Sequence, residues 1–302
     1  MGLIAKLFNG KEAFQTTCLD DIYFPINDEQ REQLQSVIFD MYRDILKVSK
    51  EENLTPFLVG GSALGAIRHG GFIPWDDDLD IGFLREEYEV FLDKFEKRYS
   101  DKYIVNSPGK QMRTRARFTK ILKKGTIFRD MISLPEDELN GIFVDVFPID
   151  AVPNNKIKKK LKGLRCDLLA YISSQVFNRE NRTPESIAAF KRTGKANYAI
   201  RMTVGLLFSF KTASWWFARY DNATQYDDRN SEFCTIAAGR KHYFGEILKR
   251  EMILPPRHVP FGDFSAPVFH DVEGYLSQMY GDYMKIPPVE KRERHYVKEL
   301  KI

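Results

Sequence analysis

The chain has 302 residues, 43% of them hydrophobic, and a formal net charge of +4. That length and apolar content can bury a core as one large domain, or as a domain with a helical appendage, and they exclude a disordered or fibrous protein. The three cysteines, Cys18, Cys166 and Cys234, are too few and too scattered for a disulfide framework or a zinc cluster, so a reducing, cytoplasmic compartment is expected. The opening MGLIAKLFNGKEAF lacks the apolar core and cleavage site of a secretory signal, and Lys6 stands where a myristoylation signal requires Ser or Thr.

The first helix is expected over Asn27 to Asn53, where Leu34, Val37, Ile38, Met41, Tyr42, Ile45 and Leu46 recur on one face and Asn27 with Gln30 resembles a capping box. Pro56 blocks its continuation, and Phe57-Leu58-Val59 opens the first core strand. Gly60-Gly61-Ser62 then starts a short helix, and Gly70-Gly71 returns the chain to a second apolar run that carries acids. In Asp78-Leu79-Asp80-Ile81 a strand places alternate side chains on one face, so Asp78 and Asp80 should point the same way. Side-by-side carboxylates repel unless a cation lies between them, and oxygen ligands suit a hard divalent ion, Mg2+ or Mn2+. Gly60-Gly61 allows close backbone approach, and the helix start after it offers N–H groups to a phosphate. Taken singly, a glycine pair is usually a turn and an acidic run a solvated loop; their order within one short segment is what points to a site.

Glu86 to Tyr99 has helical spacing at Tyr88, Phe91, Leu92 and Phe95. Lys102 to Asn106, Ala116 to Leu122, Thr126 to Arg129 and Ile142 to Phe147 read as short strands, which with the first two give a mixed sheet of five or six. Asp145, flanked by Val144 and Val146, is a charge in a buried strand and needs a partner or a metal. Among Arg113, Arg115, Arg117 and Lys120, any of which could meet a transferring phosphate, Lys120 is preferred because it sits between Thr119 and Ile121. Residues 156 to 227 read as helical, with breaks near Thr183-Pro184 and Gly194. Ile157, Leu161, Leu164, Leu168 and Ile172 form a stripe beneath Lys156, Lys158, Lys159, Lys160, Lys162 and Arg165, a basic amphipathic helix. Arg201 and Lys211 divide the apolar run 199–220, which contains Trp215-Trp216, below the length of a membrane span. That run is expected as a buried helix, with an interfacial helix as the sharper alternative. Val259 to Phe269 reads as a hairpin, and Asp271 as the cap of a last helix that stops at Gly281.

GGS, a short helix, D-h-D-h and a later h-D-h resemble the nucleotidyltransferase-fold active site. The fuller GGSALGAIRHGGFIPWDDDLDIGF, with FVDVFPID and the closing YGDYMKIPP, resembles the LicD family, which includes bacterial phosphocholine transferases and is related to the fukutin group. The resemblance runs from about Asn53 to the C-terminus and is weak between Lys156 and Gly239. It implies an α/β (α+β) fold with a nucleotidyltransferase-like mixed sheet in 1–155, a helical appendage in 156–230, and C-terminal strands and a helix in 231–302 packing back on the core. It implies Asp78, Asp80 and Asp145 as catalytic residues and metal ligands, and Gly60, Gly61, Ser62, Arg68, Trp75 and Lys120 as substrate-binding residues. The expected donor is a CDP-alcohol, CDP-choline first, with Mg2+ or Mn2+ as cofactor. The expected acceptor is a sugar of a surface glycan, lipid-linked glycan or teichoic acid precursor. A peripheral contact at the inner face of the membrane goes with such an acceptor. Trp75, Trp215, Trp216, Tyr220 and Tyr226 are candidates to face a quaternary ammonium, which aromatic rings recognise by cation–π contact. CDP-glycerol or CDP-ribitol chemistry, a true nucleotidyltransferase acting on an NTP, and a nucleic-acid-binding protein using the Lys156 to Arg165 cluster are the rivals; no nucleic-acid partner is expected.

Overall fold

The structure, a computed structural model, describes residues 24–302 apart from 131–132, 134–137, 185, 188–190, 192–194, 229, 290–291 and 293–295. Cys18 and the break expected at Gly194 lie outside the described residues.

Strand β1 (Phe24–Pro25) leads into helix α1 (Asp28–Glu51), whose capping box is reciprocal. The Gln30 N–H donates to Asn27 Oδ1 at 2.8 Å and the Asn27 N–H to Gln30 Oε1 at 3.2 Å. Next come β2 (Phe57–Leu58), α2 (Gly60–His69), β3 (Asp80–Leu84) and α3 (Arg85–Tyr99). They are followed by β4 (Tyr103–Asn106), β5 (Thr119–Lys123), β6 (Ile127–Arg129) and β7 (Phe143–Val152). Helices α4 (Lys156–Glu180), α5 (Lys195–Leu207) and α6 (Ala213–Thr224) form the helical part. Then come β8 (Phe233–Thr235), α7 (His242–Gly245), β9 (Ile247–Lys249), α8 (Arg250–Ile253), β10 (Arg257–Phe261), β11 (Phe264–Val268), α9 (Val272–Tyr280), β12 (Tyr296–Val297) and β13 (Glu299–Lys301).

The main sheet is mixed and has seven strands in the order β2-β3-β7-β5-β4, with β8 joined to β7 and β9 to β8. Only β3 and β7 run parallel within it; the other pairs are antiparallel. The long β7 changes partners along its length: Asp145 to Ile149 lie beside β3, while Asp150 to Val152 pair with β8. Most of β7 is buried, which explains its near-continuous apolar run. The sheet therefore exceeds the expected five or six strands because two come from beyond the helical part. β6 is not among them; it pairs with β13 instead.

The strand expected from Ala116 begins only at Thr119. Upstream, side chains satisfy the backbone in place of a ladder: the Thr114 N–H donates to Ser214 Oγ at 2.8 Å and the Arg115 N–H to Asn106 Oδ1 at 3.1 Å. The apolar run 199–220 is not one helix, because Thr212 caps a new one, accepting from the Trp215 N–H at 3.3 Å. Trp216 is buried on α6 and its indole N–H donates to Phe208 O at 2.9 Å, so Trp215 and Trp216 do not share a surface. The hairpin β10-β11 turns at Gly262-Asp263, and Asp271 caps α9 by accepting from the Gly274 N–H at 2.9 Å. Arg85, at the start of α3, ties sheet to helical part: its guanidinium grips both oxygens of buried Asp150, at 2.7 and 3.0 Å, and Asp221 of α6 at 2.9 Å. No helix among the described residues is long and apolar enough to cross a membrane.

Candidate active site

The site is assembled at the junction of β2, α2 and β3. Val59 passes its N–H to Asp80 O at 3.1 Å, and the chain then turns at Gly60 with a φ of +55°. A Cβ at Gly60 would stand 2.9 Å from Asp80 Oδ2, and one at Gly61 would stand 3.2 Å from Asp76 Oδ2. The two glycines therefore make room for two carboxylates, which is the physical reason for their residue type here. Ser62, buried in the first turn of α2, accepts the Asp80 N–H on its hydroxyl at 2.8 Å. That bond fixes the backbone where β3 begins, at Asp80, so Asp78 lies in the irregular segment before the strand and not within it.

Strand register brings the remaining candidates together. Asp80 on β3 is paired with Asp145 on β7, and Asp145 with Lys120 on β5. Lys120 Nζ donates to Asp145 Oδ1 at 2.6 Å and lies 3.4 Å from the centre of the Phe143 ring. Lys120 is thus the charge partner of Asp145, and the ring beside it shields the pair from water. The other expected cations lie elsewhere. Arg115 donates to Leu139 O, Asn140 and Ser133; Arg117 donates to Ala170 O on α4; and Arg113 reaches Asn181. Asp76, Asp77 and Asp78 cluster before β3, with ligand oxygens within 4.8 Å of one another.

Arg68, near the end of α2, donates to Tyr283 O at 2.8 Å, fastening the helix to the YGDYM stretch. Burial pushes its guanidinium down, against the charges of Tyr280 and Asp76. Its Cζ lies 5.9 Å from the Trp75 ring centre, and Arg292 Cζ lies 4.1 Å from the same ring. Trp75 therefore already carries cations. Of the other rings considered for a quaternary ammonium, Trp216 and Tyr220 are buried in the core, Tyr226 lies 5.7 Å from Lys162 Nζ, and Trp215 is partly exposed with Arg219 at 5.4 Å.

Four residues at this site escaped sequence reasoning. Tyr275 on α9 accepts the Gly60 N–H on its hydroxyl at 2.9 Å, from 215 residues away. Burial raises the Tyr280 phenol, as do the charges of Asp80, Asp76 and Glu246, while Arg240, whose Cζ lies 5.7 Å from the Tyr280 ring, opposes them. Glu246 is fully buried behind the 239–241 turn, where a Cβ at Gly239 would collide with its carboxylate and the Lys241 N–H donates to Oε1 at 2.9 Å. Burial pushes its carboxyl up to about 7. The only sequence signal for any of them was YGDYM, which contains Tyr280 without giving it a role.

The LicD/FKTN/FKRP nucleotidyltransferase domain matches residues 53–190, a span that holds β2 to α4 and every carboxylate of the site described above except Glu246. The lipopolysaccharide cholinephosphotransferase LicD of Haemophilus influenzae is 28% identical over 255 residues, 81% of this chain and 88% of that protein. The ribitol 5-phosphate transferase FKRP of Homo sapiens is 44% identical over 45 residues, 15% of this chain and 9% of that protein. An uncharacterised protein of Rickettsia prowazekii, RP689, is 32% identical over 71 residues, 22% of this chain and 27% of it. With a nucleotidyltransferase-like mixed sheet, the matched domain at residues 53–190 and a relative aligned along most of both chains, this protein carries a nucleotidyltransferase domain of the LicD/FKTN/FKRP family.

Proposed function

We propose that this protein is a phosphoalcohol transferase that moves phosphocholine from CDP-choline to a sugar hydroxyl of a cell-surface glycan or teichoic acid precursor, on the cytoplasmic side. The observation that carries the reading is the single row Asp80, Asp145, Lys120 across three adjacent strands, facing two glycines that leave space for carboxylates. The cholinephosphotransferase named among the relatives supports phosphocholine as the group transferred.

The donor set is all oxygen, with a carboxylate seated against Gly60 and three more in mutual reach, which fits Mg2+ or Mn2+. Asp78 and Asp80 would hold the ion, with Asp76 and Asp145 beside them; bound there, it neutralises and orients a diphosphate. In the proposed reaction the acceptor oxygen forms a bond to the donor phosphorus that carries choline, the bond from that phosphorus to the bridging oxygen breaks, and CMP leaves. Asp145, oriented by Lys120, takes the hydroxyl proton or completes the ion's ligands. Ser62 and Tyr275 fix the backbone at Asp80 and Gly60, holding the turn against the carboxylates. Arg68, Trp75 and the start of α2 border the donor's path.

One observation favours a second donor: the rings available to cage choline are buried or already beside cations. Ribitol phosphate or glycerol phosphate needs no such cage, and the FKRP match points the same way. Incubation with CDP-choline, CDP-glycerol, CDP-ribitol, CTP and ATP, with Mg2+ and Mn2+, scored for CMP against pyrophosphate, decides. CMP from CDP-choline alone supports the main reading, CMP from another donor the second, and pyrophosphate from an NTP ends both. Asp78→Asn and Asp80→Asn should lose turnover by orders of magnitude while remaining folded.

A further inference from the structure

We propose that the first half of α4 is a docking face for a bilayer surface rich in anionic phospholipid. Ile157, Leu161, Leu164 and Leu168 are between 52% and 70% exposed, although each is a large apolar side chain on a well-formed helix. At about 100° per residue these four fall within an arc of about 60°. The opposite side of the helix is the one packed on the protein. Gly163, Cys166, Ala170 and Ser173 are buried there, with Gly163 pressed directly against Phe244. Two of the basic residues lie on that inner side: Lys159 Nζ sits 3.4 Å from the Phe233 ring centre, and Lys162 Nζ donates to Ala223 O and Gln225 O. The exposed cations are the others. Lys156 and Lys160 line one edge of the apolar arc, and Lys158 and Arg165 line the other.

An apolar stripe in solvent, edged on both sides by cations with flexible stems, matches a helix lying in a headgroup layer: the stripe meets acyl chains while the ammonium groups reach phosphates. The charge identifies the occupant. Residues 156–166 contain no acid, so a second copy docked through this stripe would set cations against cations. The neighbouring α5 agrees in character, exposing Ile200, Leu206 and Leu207 from a stretch, 195–220, that also contains no acid. Such a face would hold the enzyme where a lipid-linked acceptor is presented, whichever donor it uses.

The test is co-sedimentation of the full chain with vesicles of phosphatidylcholine alone and of phosphatidylcholine mixed with phosphatidylglycerol, at low and high salt. Binding to the anionic vesicles is expected, with little to the neutral ones, and salt should weaken it. Leu161→Gln/Leu164→Gln/Leu168→Gln should lower the partition by about a hundredfold or more. Each of Lys156→Gln and Lys160→Gln should lower it about fivefold. These exposed positions lie outside the catalytic row, so turnover of a soluble acceptor should be unchanged in all the variants; loss of vesicle binding is thereby distinguished from failure of the transferase reading. Equal recovery in the supernatant with both vesicle types overturns the proposal, as does binding that survives the triple leucine change. A concentration-dependent dimer in sedimentation velocity, abolished by that change, overturns it in favour of a second copy.

Discussion

Gly60 and Gly70 both hold left-handed backbone, at φ +55° and +67°, yet only the first is crowded, and the pair isolates what the site requires. An alanine at either position costs about 1 to 2 kcal/mol in backbone strain. In a domain of this size that lowers the melting temperature by roughly 2 to 8 °C. At Gly70 a Cβ meets nothing within 4 Å, so strain is the whole effect. At Gly60 the Cβ would sit 2.9 Å from Asp80 Oδ2, where ordinary contact begins at 3.4 Å, and so the carboxylate must retreat by about 0.5 Å. A 1 Å displacement of a reacting group costs on the order of a hundredfold in rate, so Gly60→Ala should lose roughly ten- to a hundredfold in kcat. Gly70→Ala should melt at a similarly lowered temperature and turn over donor like the wild type. Differential scanning calorimetry and CMP release on the same preparations give both numbers. Equal turnover in the two variants would refute the claim that Gly60 exists to seat the Asp80 carboxylate.

Three further outcomes follow from charge. Lys120→Met leaves Asp145 buried without its cation and should cost about 3 kcal/mol in urea unfolding, most of it recovered by adding Asp145→Asn, because no uncompensated charge remains in the double variant. Burial raises the folded Glu246 carboxyl from 4.5 to about 7, so the native state binds the extra proton, and stability should fall as pH rises through that window by about 3 kcal/mol. In Glu246→Gln the difference in unfolding free energy between pH 4.5 and pH 8 should shrink by that amount; an unchanged difference would place the titration elsewhere. Arg85→Met strands buried Asp150 and Asp221 together and should cost about 4 kcal/mol, measured by the same unfolding, whereas Arg85→Lys keeps a charge but loses the two-point grip and should fall between.

Local signals were legible. The Asn27 and Asp271 caps, the hairpin at Gly262 and the alternation around Asp145 each depend on residues within a few positions, and each is where the pattern places it. The strand reading holds at Asp80, which opens β3 beside Asp145, but not at Asp78, which lies before the strand, because the Asp80 N–H goes to a serine hydroxyl of α2. Long-range partners left little trace. Nothing in a single tyrosine announces that its hydroxyl will take an N–H from 215 residues away, and Glu246 reads as an ordinary surface acid until the 239–241 turn closes over it. On α4 the basic, amphipathic character was visible, whereas the direction of its burial was not. Two of its lysines satisfy themselves on inward carbonyls and a ring, leaving four apolar side chains outside.

The hydrogen bond from Gly60 to Tyr275 bears on how the enzyme is made. A nascent chain that has reached the end of α4 contains all of the carboxylates matched to the family, but neither the hydroxyl that fixes the glycine turn nor β8, which covers Asp150 to Val152 on β7. During synthesis that strand end stays open, an unpaired edge of the kind that invites pairing with other chains, until the C-terminal strands arrive. A fragment cut to residues 53–190 would stay in that state permanently, so the part of the sequence that names the family is not the part that can be expressed alone.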